Sequence, residues 1–113
     1  MKKILFICTA NKIRSLTAEK MYKNDSRFIV KSAGTDISAN ICINRNILEW
    51  SDYIFVMEKK HRNIIRAKFP DLYKTKRIIC LYIPDEYDYM EEELMILINN
   101  KIENFFGINI GKK

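Results

Sequence analysis

The segment Lys3-Ile4-Leu5-Phe6-Ile7-Cys8 is a short, almost unbroken apolar run, and it limits the possible folds more than any other stretch of the chain. It is too short for a buried helix and lacks the alternation of a strand with one wet face. It therefore predicts a strand covered on both sides, as in the interior of a parallel sheet. The lysines before it give a positive start, but polar residues from Thr9 to Ser15 interrupt the run at once. That is too little apolar length for a leader or a membrane span, so the expectation is a first strand in a cytoplasmic protein with no membrane contact.

Downstream, strand and helix patterns alternate. After the turn-rich Thr9-Ala10-Asn11-Lys12, a partly apolar helix is predicted from about Ile13 to Lys23. A strand over Phe28–Ala33 follows, with Gly34 as its turn. A helix over Asn44–Trp50 and a strand over Tyr53–Met57 come next. A basic amphipathic helix is then predicted from Glu58 to Lys68, ended by Pro70. Ile78–Tyr82 reads as a fourth strand, closed by Ile83-Pro84-Asp85. The last helix, roughly Tyr89 to Phe106, places Leu94, Leu97, Ile98, Ile102 and Phe105 on one side and stops at Gly107. This order predicts an α/β fold: a three-layer α/β/α sandwich with a four-stranded parallel sheet. Ligands of such sheets bind at the carboxyl ends of strands, where Cys8 and Asp85 both fall.

Composition narrows the partners. With 113 residues, 48% apolar and 30% charged, one domain spanning 1–113 with one real core is expected. A net charge of +6 favours anionic ligands in general. Nucleic acid would rest on that charge and on Lys59, Lys60, Arg62, Arg66 and Lys68 alone, without a recognised motif, so those residues are read as a solvated helix face and no nucleic acid is expected. The three cysteines, Cys8, Cys42 and Cys80, are odd in number and widely spaced. They suit neither a disulfide framework nor a zinc ligand set.

The chemistry concentrates in Cys8-Thr9-Ala10-Asn11-Lys12-Ile13-Arg14-Ser15. Between a strand and a helix, such a loop can turn its amide hydrogens inward and form a nest for an oxyanion. The helix dipole adds positive potential there, and the same field favours a thiolate on Cys8 as nucleophile. Arg14 supplies a planar fork for two phosphoryl oxygens. A cation at the start of a helix is otherwise badly placed, which a bound anion would explain. Ser15 can donate to the sulfur, and Asn11 can hold the loop by bonding its own backbone.

These residues, followed by Thr17, Ala18 and Glu19, then Ser32-Ala33-Gly34-Thr35, Ile54-Phe55-Val56-Met57 with His61, and Ile83-Pro84-Asp85, resemble in order the low-molecular-weight protein tyrosine phosphatase family. The chain is shorter than the usual member and is most like a compact bacterial branch. The resemblance implies hydrolysis of phosphate monoesters, above all protein phosphotyrosine, through a cysteinyl-phosphate. Cys8 would be the nucleophile, Arg14 the phosphate clamp and Asp85 the general acid and then base. Amides of Thr9, Ala10, Asn11, Lys12, Ile13 and Ser15 would complete the phosphate site. Tyr87 would stack on the substrate ring at the entrance, ahead of Tyr89. No metal or organic cofactor is implied. The expected partners are a phosphotyrosyl protein or small aryl phosphate and the product phosphate, with the chain a monomer or weak dimer. His61 is assigned to structure or the rim, and Trp50 and Phe55 to the core.

The loop departs from the family at Ala10 and Leu16, where Gly and Pro are usual. Ala10 bears on geometry, because inward amides often need a left-handed residue. The place of a second, protective loop cysteine is taken by Ile13 or Lys12. Two other readings compete: thiol-dependent arsenate reduction using Cys42 or Cys80, and a phosphate- or phosphopeptide-binding module that has no need of Asp85.

Overall fold

The computed structural model describes residues 1–107; residues 108–113 of the expected domain lie outside the described residues. Four strands, β1 (Lys2–Cys8), β2 (Phe28–Gly34), β3 (Tyr53–Val56) and β4 (Arg77–Cys80), form one sheet in the order β2-β1-β3-β4, every pair parallel. Five helices connect and close them: α1 (Arg14–Tyr22), α2 (Arg45–Trp50), α3 (Lys59–Lys68), α4 (Pro70–Thr75) and α5 (Glu92–Phe106). The predicted three-layer α/β/α architecture is the one observed.

The pleat of β1 sorts the two faces. Ile4, Phe6 and Cys8 point into one apolar cluster with Ala18 and Tyr22 of α1 and Leu94, Ile98 and Ile102 of α5. Leu5 and Ile7 point into the other, with Leu48 of α2, Ile65 of α3 and Leu72 of α4. All four of Ile4 to Ile7 are fully buried, as the unbroken apolar run requires of a central strand. At β1 the strand order reverses, since the chain moves outward to β2 on one side and to β3 and β4 on the other. The chain therefore leaves β1 and β3 in opposite directions, the switch point at which ligands of such sheets bind.

Several elements differ from expectation. Pro70 does not simply end a helix: Phe69 caps α3 at its C-terminal end, and Pro70 opens α4 as its first residue. Proline suits that position because the missing N–H would be unpaired there anyway. A six-residue helix with little apolar pattern left no periodic signal. The fourth strand ends at Cys80, because Tyr82 has a left-handed φ of 56°. Helix α5 starts at Glu92, because Met90 is also left-handed at φ 60°. Phe105 stays partly exposed, although its ring meets Phe55 edge-on at 5.2 Å.

Gly34 is not a turn. It remains in β2 opposite Cys8, where a Cβ would lie 2.4 Å from the Thr9 carbonyl oxygen and 2.7 Å from Ala39 Cβ. Only glycine admits that approach of two backbones. Gly107, in contrast, ends α5 as predicted, in the left-handed cap with φ 75°.

Candidate active site

The loop from Thr9 to Ile13 runs from the end of β1 into α1, whose N-terminal amides have no side-chain cap because the N-cap residue is Ile13. The outer side of the loop is held by the segment after β2. Thr35 N–H donates to Cys8 O at 3.0 Å, Asp36 N–H to Thr9 O at 3.0 Å, and Asn40 N–H to Ala10 O at 3.2 Å. Asn40 Nδ2 also donates to Asn11 O at 2.8 Å. With its carbonyls bonded outward, the loop is free to turn amides inward.

The left-handed residue is Asn11, with φ 57°. The concern at Ala10 therefore moves one residue on, to a side chain that tolerates this conformation better than most. Asn11 does not bond its own backbone, contrary to expectation. Its amide nitrogen donates both hydrogens, to Ser15 Oγ at 2.8 Å and to Ser32 Oγ at 2.9 Å. Ser32 donates onward to Glu19. Ser15 Oγ lies 3.0 Å from Cys8 Sγ, and against a thiolate, which has no hydrogen to give, the hydroxyl is the donor. Cys8, Asn11, Ser15 and Ser32 are all buried, so each broken link would strand a polar group away from water.

Arg14 is only 2% exposed. Its Nη1 donates to Glu58 Oε2 at 2.5 Å and to Ile83 O at 2.8 Å. Asp85 Oδ1 lies 3.9 Å from Nε, on a largely exposed side chain. Nη1 is thus occupied, while the edge formed by Nε and Nη2 has no partner at hydrogen-bond distance among the described residues. No buried side-chain nitrogen or oxygen is unpaired in that set, so this edge opens to solvent. It is also the edge that pairs bidentately with an oxyanion.

Glu58 escaped the reading of the sequence. It follows the end of β3, the same kind of position that marked Cys8 and Asp85, and that criterion would have found it. Burial pushes its carboxyl pKa up, but the hydrogen bond and charge of Arg14, with Lys60 and His61, more than reverse this and hold it below the ordinary value. His61 is fully buried, with Nε2 2.9 Å from Thr9 Oγ1 and Nδ1 accepting from the Glu58 backbone N–H at 3.0 Å. Burial first, and the Arg14 charge second, lower its pKa to about 4.

The remaining candidates divide. Tyr87 is half-buried against the first core cluster, whereas Tyr89 lines a cavity of about 160 Å³ with Leu16, Glu19, Lys20 and Lys23. Lys12 is exposed on the loop, and Ile13 packs against the first cluster. Cys42 and Cys80 pack against the second cluster, while Cys8 belongs to the first. Phe55 is fully buried, and Trp50 packs beside the second cluster with Lys31 over its ring at 4.5 Å. No helix among the described residues is long and apolar enough to cross a membrane.

Fold and site together place Cys8 in the first strand-to-helix loop of a small parallel α/β sheet, with Arg14 opening the helix that follows. Residues 3–50 match the model of the family described as low molecular weight phosphotyrosine protein phosphatase. Among solved structures, the chain is similar to the YwlE arginine phosphatase of Geobacillus stearothermophilus, at 20% identity and TM-score 0.73, covering 100% of this chain and 98% of that one. It is similar to the low molecular weight protein tyrosine phosphatase SP-PTP of Streptococcus pyogenes, at 20% identity and TM-score 0.76, covering 95% and 92%. It is also similar to the tyrosine phosphatase Wzb of Escherichia coli K30, solved in complex with phosphate, at 20% identity and TM-score 0.70, covering 93% and 96%. A search of curated proteins returned no match. The resemblance read from the sequence thus recurs in the family model, over the segment that holds the loop, and in the fold.

Proposed function

We propose that the chain is a protein tyrosine phosphatase that hydrolyses phosphate monoesters through a cysteinyl-phosphate. The observation that carries this reading is the open edge of Arg14, at the start of the helix that follows the Cys8 loop and held from its other side by Glu58 and the Ile83 carbonyl. In the first step the Cys8 sulfur attacks phosphorus and the P–O bond to the leaving group breaks. Asp85, near the guanidinium, gives that oxygen its proton. In the second step water attacks the cysteinyl-phosphate, Asp85 takes its proton, and phosphate leaves as the sulfur regains its electron pair. Ser15 stabilises the sulfur as it departs. Arg14 and the loop amides bear the phosphoryl charge through both steps.

A phosphotyrosyl protein is the substrate that fits the family description, with Tyr87 or Tyr89 beside the leaving ring. Steady-state hydrolysis of an aryl phosphate by the wild type, Cys8→Ser and Asp85→Asn tests the chemistry. The wild type turns over and Cys8→Ser does not. A wild type that binds vanadate yet hydrolyses no ester would instead support a phosphate-binding module. Comparing phosphotyrosyl with phosphoarginyl peptides tests the substrate, with the former expected to be preferred.

A further inference from the structure

The N-terminal cap of α3 holds more than its own helix. The backbone N–H of His61 donates to the Glu58 carbonyl oxygen at 3.1 Å, and His61 Nδ1 receives the backbone N–H of Glu58 at 3.0 Å. An N–H aimed at Nδ1 requires a lone pair there, so a neutral ring must carry its hydrogen on Nε2. That nitrogen is 2.9 Å from Thr9 Oγ1. The imidazole therefore donates, the hydroxyl accepts, and the Thr9 hydrogen is left for another acceptor. The Glu58 carboxylate grips Arg14. One helix cap thus holds the phosphate loop at both ends.

Building on the phosphatase reading above, we infer that His61 is a positioning residue that locks the Thr9 hydroxyl as a donor to the negative charge in the loop, on the Cys8 sulfur or the phosphoryl oxygens. A donor whose direction is already fixed need not reorganise as that charge develops. The ring is suited to the role because it stays neutral: its burial and the Arg14 charge lower its pKa to about 4, and the charged groups facing it are Arg14 and Lys60 against Glu58 and Asp85. Protonation would set a second N–H against that of Glu58 and undo the cap.

The chain has one histidine, so a nitrogen-15 NMR spectrum reads its tautomer without assignment. The expected spectrum at neutral pH is that of the Nε2–H form; an Nδ1–H form overturns the inference. In parallel, kcat and KM for an aryl phosphate are measured for Thr9→Val, Thr9→Ser, His61→Asn and the Thr9→Val/His61→Asn double variant. Asn keeps an acceptor for the cap but cannot reach Thr9.

Thr9→Val and His61→Asn should each lower kcat by roughly tenfold or more with little change in KM. Thr9→Ser, which keeps the hydroxyl, should recover most of the kcat lost in Thr9→Val, and the double variant should be no slower than the worse single. Wild-type kcat in Thr9→Val, or single effects that multiply in the double, overturns the inference. If His61→Asn does not fold, the Thr9 pair and the spectrum still decide. A wild type with no turnover would retire the phosphatase reading, while the spectrum would still test the direction of the His61–Thr9 bond.

Discussion

Arg14 and Arg27 sit among carboxylates at opposite ends of the sheet, and they use their guanidinium groups in opposite ways. Arg27, just before β2, gives Nε and Nη2 to Asp25 and Nη1 and Nη2 to Glu103, with its plane 4.6 Å from the Phe28 ring. Every nitrogen is engaged, and two carboxylates answer one cation. Tyr22 joins the cluster through its hydroxyl, whose single hydrogen is shared between Asn99 Oδ1 at 3.1 Å and Glu103 Oε2 at 3.4 Å. Arg14 is more deeply buried, yet it meets Glu58 and one carbonyl through a single nitrogen. A saturated arginine ties elements together; an arginine held from one side is an instrument with its working edge free. Counting uncommitted donors separates the two more surely than burial or charge does.

Removing each side chain breaks or sharpens that contrast. Arg14→Ala should lower kcat/KM for an aryl phosphate by about a thousandfold, the scale of losing a main transition-state charge partner, whereas Arg27→Ala should remain within about twofold of the wild type. Equal losses in the two variants would sink the distinction. Asp85→Asn should slow hydrolysis by roughly a hundredfold for poor leaving groups and much less for good ones, as a leaving-group series would reveal.

Stability should show the reverse order. Arg27→Ala strands Glu103 and Asp25 and should cost about 1–2 kcal/mol in urea unfolding. Acid should then take the two ends apart in sequence. The His61 pKa is lowered in the folded protein, so below about pH 6.5 the unfolded chain gains a proton that the native ring refuses. Stability should fall from about pH 6.5 down to about pH 4 and then level off, by on the order of 3 kcal/mol. Asp25 and Glu103 are also lowered, chiefly by their hydrogen bonds to Arg27. Their contribution is present above the ordinary carboxylate range and is lost only as pH falls through the lower folded-state values. His61→Asn should remove the first phase of a pH–stability curve and leave the second.

The sheet was legible because its central strand must be apolar on both faces, and the loop because a cysteine and an arginine flank a strand-to-helix turn. Asp85 was singled out from its place past a strand, and the fold puts its carboxylate 3.9 Å from Arg14 Nε. Glu58 was passed over although it too follows a strand, because a carboxylate at a helix start also reads as an ordinary cap, and only the fold shows the arginine it meets, 44 positions earlier. The role of Asn11 needed the Ser32 hydroxyl, 21 residues away. Gly34 was misread because a close approach between backbones leaves the same single-letter trace as a turn. Helix α4 was missed because proline signals both an end and a beginning.

The outward flip of Tyr82 resets the phase of the chain. Leu81 N–H bonds to Val56 O and Ile83 N–H to Met57 O, so one strand advances two residues while its neighbour advances one. Leu81 and Ile83 both turn inward and the tyrosine between them is ejected. That one-residue slip decides which carbonyl faces Arg14, and by simple counting it brings residue 85 to the guanidinium. Deleting Tyr82 would leave the composition of the site untouched yet put it out of step, a frame error written in space.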